Sequence, residues 1–471
     1  MLKPLIALLL LFPLNSFASQ SGSLDLTYSW VGFTAIALFT VAYLFVIGEE
    51  FIHLRKSKPV LVAAGLIWLL LGWVYAQSNL TPEVEHAFNQ NLLEYAQLLL
   101  FLLVSMTYIN ALEDRGLFIA LRHWMESKRL TLRTLFWLTG VLAFMISSIA
   151  NNLTTAMLMC AIVMNVAKGN RKFINLACIN IVVAANAGGV FSPFGDITTL
   201  MIWQAGWVEF KQFFSLFLPS LANFFIPALI MSFFISNNLP QEPQGEHHDL
   251  KRGAKRILCL FLLTILTAVL CHSVIGLPPV LGMMLGLSYL KIFGFYLRKS
   301  LPRSLNKKRE IAKQKNDIKA LERLGNIVPF DVFTKVARAE WDTLLFFYGV
   351  VMSVGGLAFI GYLSWVSHFL YEQWDPTFAN IIVGLLSAVV DNIPVVFAVL
   401  AMAPNMELHQ WLLVSLTAGV GGSLLSIGSA AGVALMGQTK GLYSFVGHLK
   451  WSWAIALGFC ASVYLHMIIN G

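Results

Sequence analysis

Apolar residues come in long blocks along this chain, with neither the strict alternation of a half-buried strand nor the one-sided spacing of a soluble helix. Eight blocks run without interruption: residues 28–47, 59–77, 92–112, 213–235, 257–275, 280–296, 344–366 and 451–469. A helix needs about 20 apolar residues to cross about 30 Å of hydrocarbon, so each block predicts one spanning helix. Four further blocks, 135–167, 173–204, 378–402 and 412–437, carry polar residues and glycines within them. The fold class expected is an all-α polytopic membrane protein. In it, 135–167 and 378–402 form re-entrant hairpins, while 173–204 and 412–437 form helices broken at the midplane.

Composition agrees. Of 471 residues, 58% are apolar and 12% are charged, about half the ~25% usual in soluble chains. The five cysteines (Cys160, Cys178, Cys259, Cys271 and Cys460) are scattered through apolar segments without disulfide or metal spacing, and are expected as small core residues. Ahead of the first block, Lys3, an apolar run and Ser16-Phe17-Ala18 have the form of a secretory signal peptide over residues 1–18; a short first membrane helix is the alternative. Cleavage would leave the mature N-terminus outside.

Charge placement sets the threading. With the N-terminus outside and the two hairpins entering and leaving on one side, all but three of the 32 basic residues fall in cytoplasmic connections, as the positive-inside rule requires. The exceptions are Lys3, Lys211 and Lys291. If 135–167 crossed only once, the basic cluster 168–172 would lie outside, which argues for the hairpin over a single span; a pair of very short crossings is the alternative. The predicted outer connections hold Glu83, Glu85, Glu372, Asp375 and Glu407. The net charge of +8 is therefore spread along one membrane face, and the basic loop 298–338 is expected to face lipid headgroups rather than nucleic acid.

The chain also repeats itself. Glu94-Tyr-Ala-Gln-Leu-Leu-Leu-Phe returns as Glu340-Trp-Asp-Thr-Leu-Leu-Phe-Phe. Ser147-Ser-Ile-Ala-Asn-Asn-Leu-Thr-Thr returns as Ser387-Ala-Val-Val-Asp-Asn-Ile-Pro-Val, and Gly188-Gly-Val-Phe-Ser-Pro-Phe-Gly-Asp as Gly421-Gly-Ser-Leu-Leu-Ser-Ile-Gly-Ser. On this threading each element enters from the side opposite to its counterpart, which defines two inverted-topology repeats. The expected division is N-terminal spans (19–91), first repeat (92–235), linking spans with the basic loop (236–339) and second repeat (340–471). Glycines at 188–195 and 421–428 are expected to supply the φ values of unwound backbone, and Pro193 removes a donor. Such backbone is tolerated at membrane depth only when buried in protein or lining a watery cavity, so the hairpin tips and breaks locate a binding site.

One aspartate sits at an interruption in each half, Asp196 and Asp391. A carboxylate at mid-bilayer costs at least ~2.5 kcal/mol. Candidate oxygen donors around Asp196 are Asn151, Asn152, Thr154, Asn186, Thr198 and Thr199, with Ser192 and Ser147 nearby. Around Asp391 they are Ser387, Asn392, Ser426 and Ser429. Oxygens of this kind around one carboxylate suit a hard cation, and one negative charge per site favours a monovalent ion over calcium. Because desolvation disfavours the ionised form, a proton and a cation compete for such a carboxylate. That competition is antiport if only occupied sites cross. Helix capping is the alternative role for the aspartates, and packing or backbone satisfaction for the neutral residues. Asp342, Thr343, Glu94 and Glu340 stand near helix ends, where they either assist or are simply solvated. The ten histidines show no ligand spacing. No nucleophile or metal constellation suggests an enzyme.

Three of these segments carry a resemblance. Ala-Asn-Asn-Leu-Thr-Thr-Ala (150–156), Gly-Asp-Ile-Thr-Thr (195–199) and Asp-Asn-Ile-Pro-Val (391–395) are similar to the signatures of NhaD-type sodium/proton antiporters. That family lies in the ion-transporter superfamily with arsenite pumps and sodium-coupled dicarboxylate and citrate carriers. The resemblance covers residue 28 to the C-terminus. It implies exchange of Na+ or Li+ for H+ in a bacterial inner membrane, serving pH and sodium homeostasis, with Na+ held at the Asp196 and Asp391 sites and no cofactor. It also implies a homodimer with a scaffold and a transport domain moving as an elevator. The carboxylate carriers have Ser-Asn-Thr at both hairpin tips, whereas the tips here read Ala-Asn-Asn and Val-Asp-Asn, followed by Pro394 in the second. An ionised Asp391 would repel a dicarboxylate, which disfavours one alternative, a sodium-coupled di/tricarboxylate symporter; the other alternative is an arsenite efflux carrier.

Overall fold

The computed structural model describes residues 24–52, 54–128, 130–167, 170–239, 250–314 and 330–471, and every strand-length or longer regular element among them is helical. The helices are α1 (Trp30–Ile47), α2 (Glu49–Ile52), α3 (Ser57–Gln77), α4 (Thr81–Asp114), α5 (Leu117–Ser127), α6 (Leu132–Ser147), α7 (Asn152–Val166), α8 (Arg171–Val190) and α9 (Ile197–Gln204). Next come α10 (Phe217–Ser232), α11 (Ala254–Ser273), α12 (Pro279–Lys299), α13 (Leu301–Gln314), α14 (Val332–Ala337), α15 (Trp341–Ile360) and α16 (Tyr362–Ser367). The last are α17 (Pro376–Leu386), α18 (Asn392–Met402), α19 (Leu408–Gly421), α20 (Ala430–Thr439), α21 (Phe445–Leu449) and α22 (Ser452–Asn470). Among the described residues, nine helical segments are long and apolar enough to cross a membrane. The chain is a polytopic membrane protein. The signal-peptide segment and much of the basic loop lie outside the described residues.

Helix starts follow local chemistry. Ser29 caps α1 by accepting from the Gly32 amide, and Thr131 caps α6 through Thr134. Asp375 caps α17 through the Thr377 amide at 2.8 Å, with Pro376 in the first turn, where its missing N–H costs nothing. The Thr377 hydroxyl and amide hold this exposed carboxyl below its ordinary range. Two spans differ from the sequence-based bounds. The block 92–112 extends back to Thr81, giving a helix of 34 residues and about 51 Å, longer than the hydrocarbon alone requires. The block 344–366 stops at Ile360, because Gly361 takes φ 112° and ends the helix.

Burial sorts the helices. The apolar window of α8 is 94% buried and that of α15 is 72%, against 28% for α1 and 33% for α11, α12 and α22. Protein therefore surrounds α8 and most of α15, and the others turn a side outward. Of the cysteines, Cys160, Cys178 and Cys271 are buried as expected. Cys259 and Cys460 are exposed on helix surfaces, so the core assignment fails for these two; an apolar outer face suits lipid as well as a core.

Each of the four interrupted blocks is a pair of helices about a non-helical segment: α6 with α7, α8 with α9, α17 with α18, and α19 with α20. The same contacts occur in both halves. α8 packs on α6 and α7, while α19 packs on α17 and α18. The Ser147 hydroxyl donates to the Ala185 carbonyl at 2.6 Å, and the Ser387 hydroxyl to the Ala418 carbonyl, also at 2.6 Å. A Cβ on Gly188 would collide with the Phe144 carbonyl, and one on Gly421 with the Gly384 carbonyl. These glycines serve close helix approach. None in either break has positive φ, so the unwound backbone there does not use glycine's left-handed conformations. The halves also interlock: α9 lies against α18 and α19, and α20 against α7 and α8.

The close approach predicts an asymmetry among glycines. Gly188→Val and Gly421→Val should each lower the thermal midpoint of detergent-solubilised protein, since overpacking costs about 1–3 kcal/mol. Gly65, in α3 with no atom near its missing Cβ, should tolerate Ala with a gain of roughly 0.5–1 kcal/mol. Fluorescence-monitored melting of the three variants checks this.

Candidate functional site

Asp196 stands in extended conformation at the N-cap of α9, 3% exposed. Its Oδ2 accepts a hydrogen bond from Asn392 Nδ2 at 3.0 Å. Asn392 opens α18, so a hairpin tip from one half of the chain holds the carboxylate of the other. The backbone of α19 runs alongside, where a Cβ on Gly419 would lie 3.4 Å from the same oxygen. No Lys, Arg or His among the described residues forms an ion pair with Asp196, and the second acid, Asp391, lies within electrostatic range of it. Thr198, two residues on, has a buried hydroxyl close enough to the Asp196 carboxyl to stabilise its charge.

The first hairpin tip meets the first break through a second amide pair. Asn152 Nδ2 donates to Asn186 Oδ1 at 3.1 Å, and Asn186 Nδ2 is buried without a protein partner. Asn151 is a helix cap, its Oδ1 accepting from the Thr154 amide at 2.8 Å.

Several predicted donors are occupied by backbone. Besides Ser147 and Ser387, the Thr199 hydroxyl lies 3.0 Å from the Ser192 carbonyl and 2.7 Å from that of Asp196. Ser429 caps α20 through Gly432, and the Ser426 hydroxyl points at Met436 Sδ, 3.6 Å away. These hydroxyl contacts lie at the breaks and the hairpin ends.

Asp391 stands at the N-cap of α18 but makes no capping bond to it. Its Oδ2 instead meets Lys56 Nζ at 3.0 Å, with side-chain exposures of 13% and 17%. Lys56 precedes α3 and also lies 4.3 Å from the centre of the Phe346 ring. The adjacent Ser57 hydroxyl bonds Asp342, and Thr343 donates to Glu340 Oε2 at 3.4 Å. Asp342 and Thr343 thus belong with Lys56 at the starts of α3 and α15, while Asp196 and Asn392 form the neighbouring group. Sequence reasoning missed Lys56, Ser57 and Gly419. It counted Lys56 as one more cytoplasmic charge, although its position at the very start of a span was the available signal.

Among the described residues no cluster of three or more His, Cys, Asp and Glu side chains could hold a metal ion. Amide and hydroxyl groups flank the buried acid instead, in helices built to cross a bilayer. Those features define a membrane ion transporter. A family model described as citrate transporter matches residues 1–419. The Na(+)/H(+) antiporter NhaD of Halomonas elongata is 61% identical over 98% of this chain and 93% of its own length. Those of Alkalimonas amylolytica and Vibrio cholerae are 62% and 60% identical, covering 98% and 99% of this chain and 96% and 98% of their own. The chain belongs to the citrate-transporter family and, within it, to the NhaD-type sodium/proton antiporters.

The bracing role predicts graded effects. Ser147→Ala and Ser387→Ala should each cost about 1 kcal/mol, the ordinary worth of one hydrogen bond, seen as a modest drop in thermal midpoint with ion-driven activity retained. Asn392→Ala should leave the midpoint nearer the parent's and reduce activity more. Melting curves and transport assays on the same preparations separate the two.

Proposed function

We propose that this chain exchanges sodium for protons across the bacterial inner membrane, carrying both at Asp196. The observation that carries the proposal is a buried carboxylate held by the neutral Asn392 amide, with no protein cation paired to it. An isolated ionised carboxylate is very costly at low dielectric, so the site is stable either protonated or with a mobile cation bound. One carboxylate that must hold one of the two ions exchanges them whenever occupied sites cross and empty ones do not. Binding of either ion weakens binding of the other by the same factor. The Thr198 hydroxyl and the Asn152–Asn186 amides supply oxygens suited to a small hard cation, Li+ as well as Na+. Asp391 is the second carboxylate, and it faces a different competitor.

Alternating access fits two inverted-topology repeats, 92–235 and 340–471, with re-entrant hairpins 135–167 and 378–402 and broken helices 173–204 and 412–437. The Asp196 side chain and a bound Na+ would then be exposed to one face at a time as the hairpins and breaks move against the flanking spans. The exposed apolar outer helices fit contact with lipid and with a second copy of the chain. No cofactor takes part. Carriage of a di- or tricarboxylate is the weaker reading, because Lys56 is engaged by Asp391 and two aspartates at the site repel an anion.

The test is dissipation of an imposed pH gradient in vesicles holding purified protein. Sodium and lithium should collapse the gradient in the parent and fail to do so with Asp196→Asn, whose amide can neither take up nor release a proton. Activity of the parent should rise toward alkaline pH, as the carboxyl loses its proton and becomes available to the cation. Undiminished exchange in the folded Asp196→Asn variant would overturn the assignment, and citrate uptake without sodium-driven proton movement would overturn antiport itself.

A further inference from the structure

We propose that Lys56 is a tethered competitor for the transported cation, its ammonium occupying the second carboxylate, Asp391, until a mobile ion displaces it. The inference rests on the antiport reading and adds to it a residue that is not part of the ion-binding shell.

The two hairpin tips differ in one respect that matters here. Asn151, at the first tip, uses its side-chain oxygen to cap α7. Asp391, at the second, leaves α18 uncapped and turns one oxygen to Lys56 at 3.0 Å. Its other oxygen, Oδ1, is buried with no protein partner. A carboxylate so placed gives up a local bond that an N-cap aspartate ordinarily makes, and has one acceptor still open beside the ammonium.

Lys56 is itself built into position. It joins α3, which packs along α15, and its ammonium lies over the Phe346 ring, a favourable arrangement for a cation. Glu340 lies within electrostatic range of it, and Ser57 ties the same turn to Asp342. Tyr43 of α1 and Asp196 are the other ionisable groups that interact with Asp391. Every one of these apart from Lys56 is acidic or neutral, so among the described residues Lys56 is the cation beside this group of acids. Helix α18 packs on α15 as well, so α15 lies between the tip's helix and the helix that Lys56 precedes. A sodium ion arriving at Asp391 restores the charge balance that the ammonium supplied, and frees the tip from the start of α3. The pair thereby links occupancy of the second carboxylate to release of the hairpin.

Vesicle assays at one fixed alkaline pH test this with Lys56→Met, Lys56→Arg and each change combined with Asp391→Asn. Lys56→Met should lower the half-saturating sodium concentration severalfold while changing the maximal rate less, because the competitor has gone. Lys56→Arg should restore values close to the parent's. In the Asp391→Asn background, Lys56→Met should have no further effect on sodium dependence. An unchanged half-saturating concentration in active Lys56→Met, or the same shift with Asp391 absent, would overturn the proposal. A second measurement needs no variant: labelling of Lys56 by a water-soluble acylating reagent, read by mass spectrometry, should increase with sodium relative to choline, and equal or lower labelling would also count against it. Absence of sodium-driven proton movement in the parent would instead remove the antiport reading on which the proposal stands.

Discussion

Backbone amides and carbonyls have no water to turn to inside a bilayer, and a helix that stops there must have its loose ends met by protein. Each half of this molecule meets that constraint in the same way. A serine at the end of a hairpin helix, Ser147 or Ser387, reaches a carbonyl one turn before the break in the facing helix. A glycine beyond that carbonyl lets the two backbones close up. Thr199 and Ser429 then secure the returning segments. With the breaks braced from within, side chains on their inner edge are left over, and these are the ones proposed to bind ions. Asp196, Asn392, Asn152 and Asn186 would then depend for their positions on bonds made by residues outside the ion site.

Much of this was legible from the sequence because the governing signals are local. Block length gives the spans, and polar residues inside blocks give the interruptions: the breaks after Val190 and Gly421, and the turns before Asn152 and Asn392, fall inside the blocks flagged for them. The capping potential of Asn151 is likewise a property of a few adjacent residues. What escaped depends on contacts far apart in sequence. Lys56 and Asp391 are 335 residues apart, and nothing in the neighbourhood of either names the other. Gly361 shortens an apolar run whose end the sequence places at Val366, since Leu363, Trp365 and Val366 continue it beyond the glycine. The break glycines were recognised, but for their torsional freedom; only the packing of α8 on α6 and α19 on α17 reveals that space was the reason.

The two acids at the site illustrate how similar sequence positions acquire different electrostatic lives. Asp196 is met by an amide donated from the opposite half, which stabilises charge without cancelling it. Asp391 is met by an ammonium, which cancels it. A pair of identical carboxylates would repel each other and leave net charge to be compensated twice over. Pairing one of them internally leaves a single uncompensated site, and that limits how many mobile ions the folded protein must hold to remain neutral in its interior.

The difference between the capped first tip and the uncapped second has an outcome that concerns measurement from the two faces of the membrane. On the alternating-access proposal the halves exchange roles between exposures, yet here the exchanged parts are chemically unlike, with Asn151 bonded to its own helix and Asp391 bonded to Lys56 before α3. The two exposures would then differ in free energy even when no gradient is applied, and the molecule would rest mostly in one of them. An ion that binds the less populated exposure shows an apparent affinity reduced by that population. Sodium titrated from inside and from outside should therefore give different half-saturation values in the same vesicle preparation, a directional bias written into two side chains rather than into the gradient that drives transport.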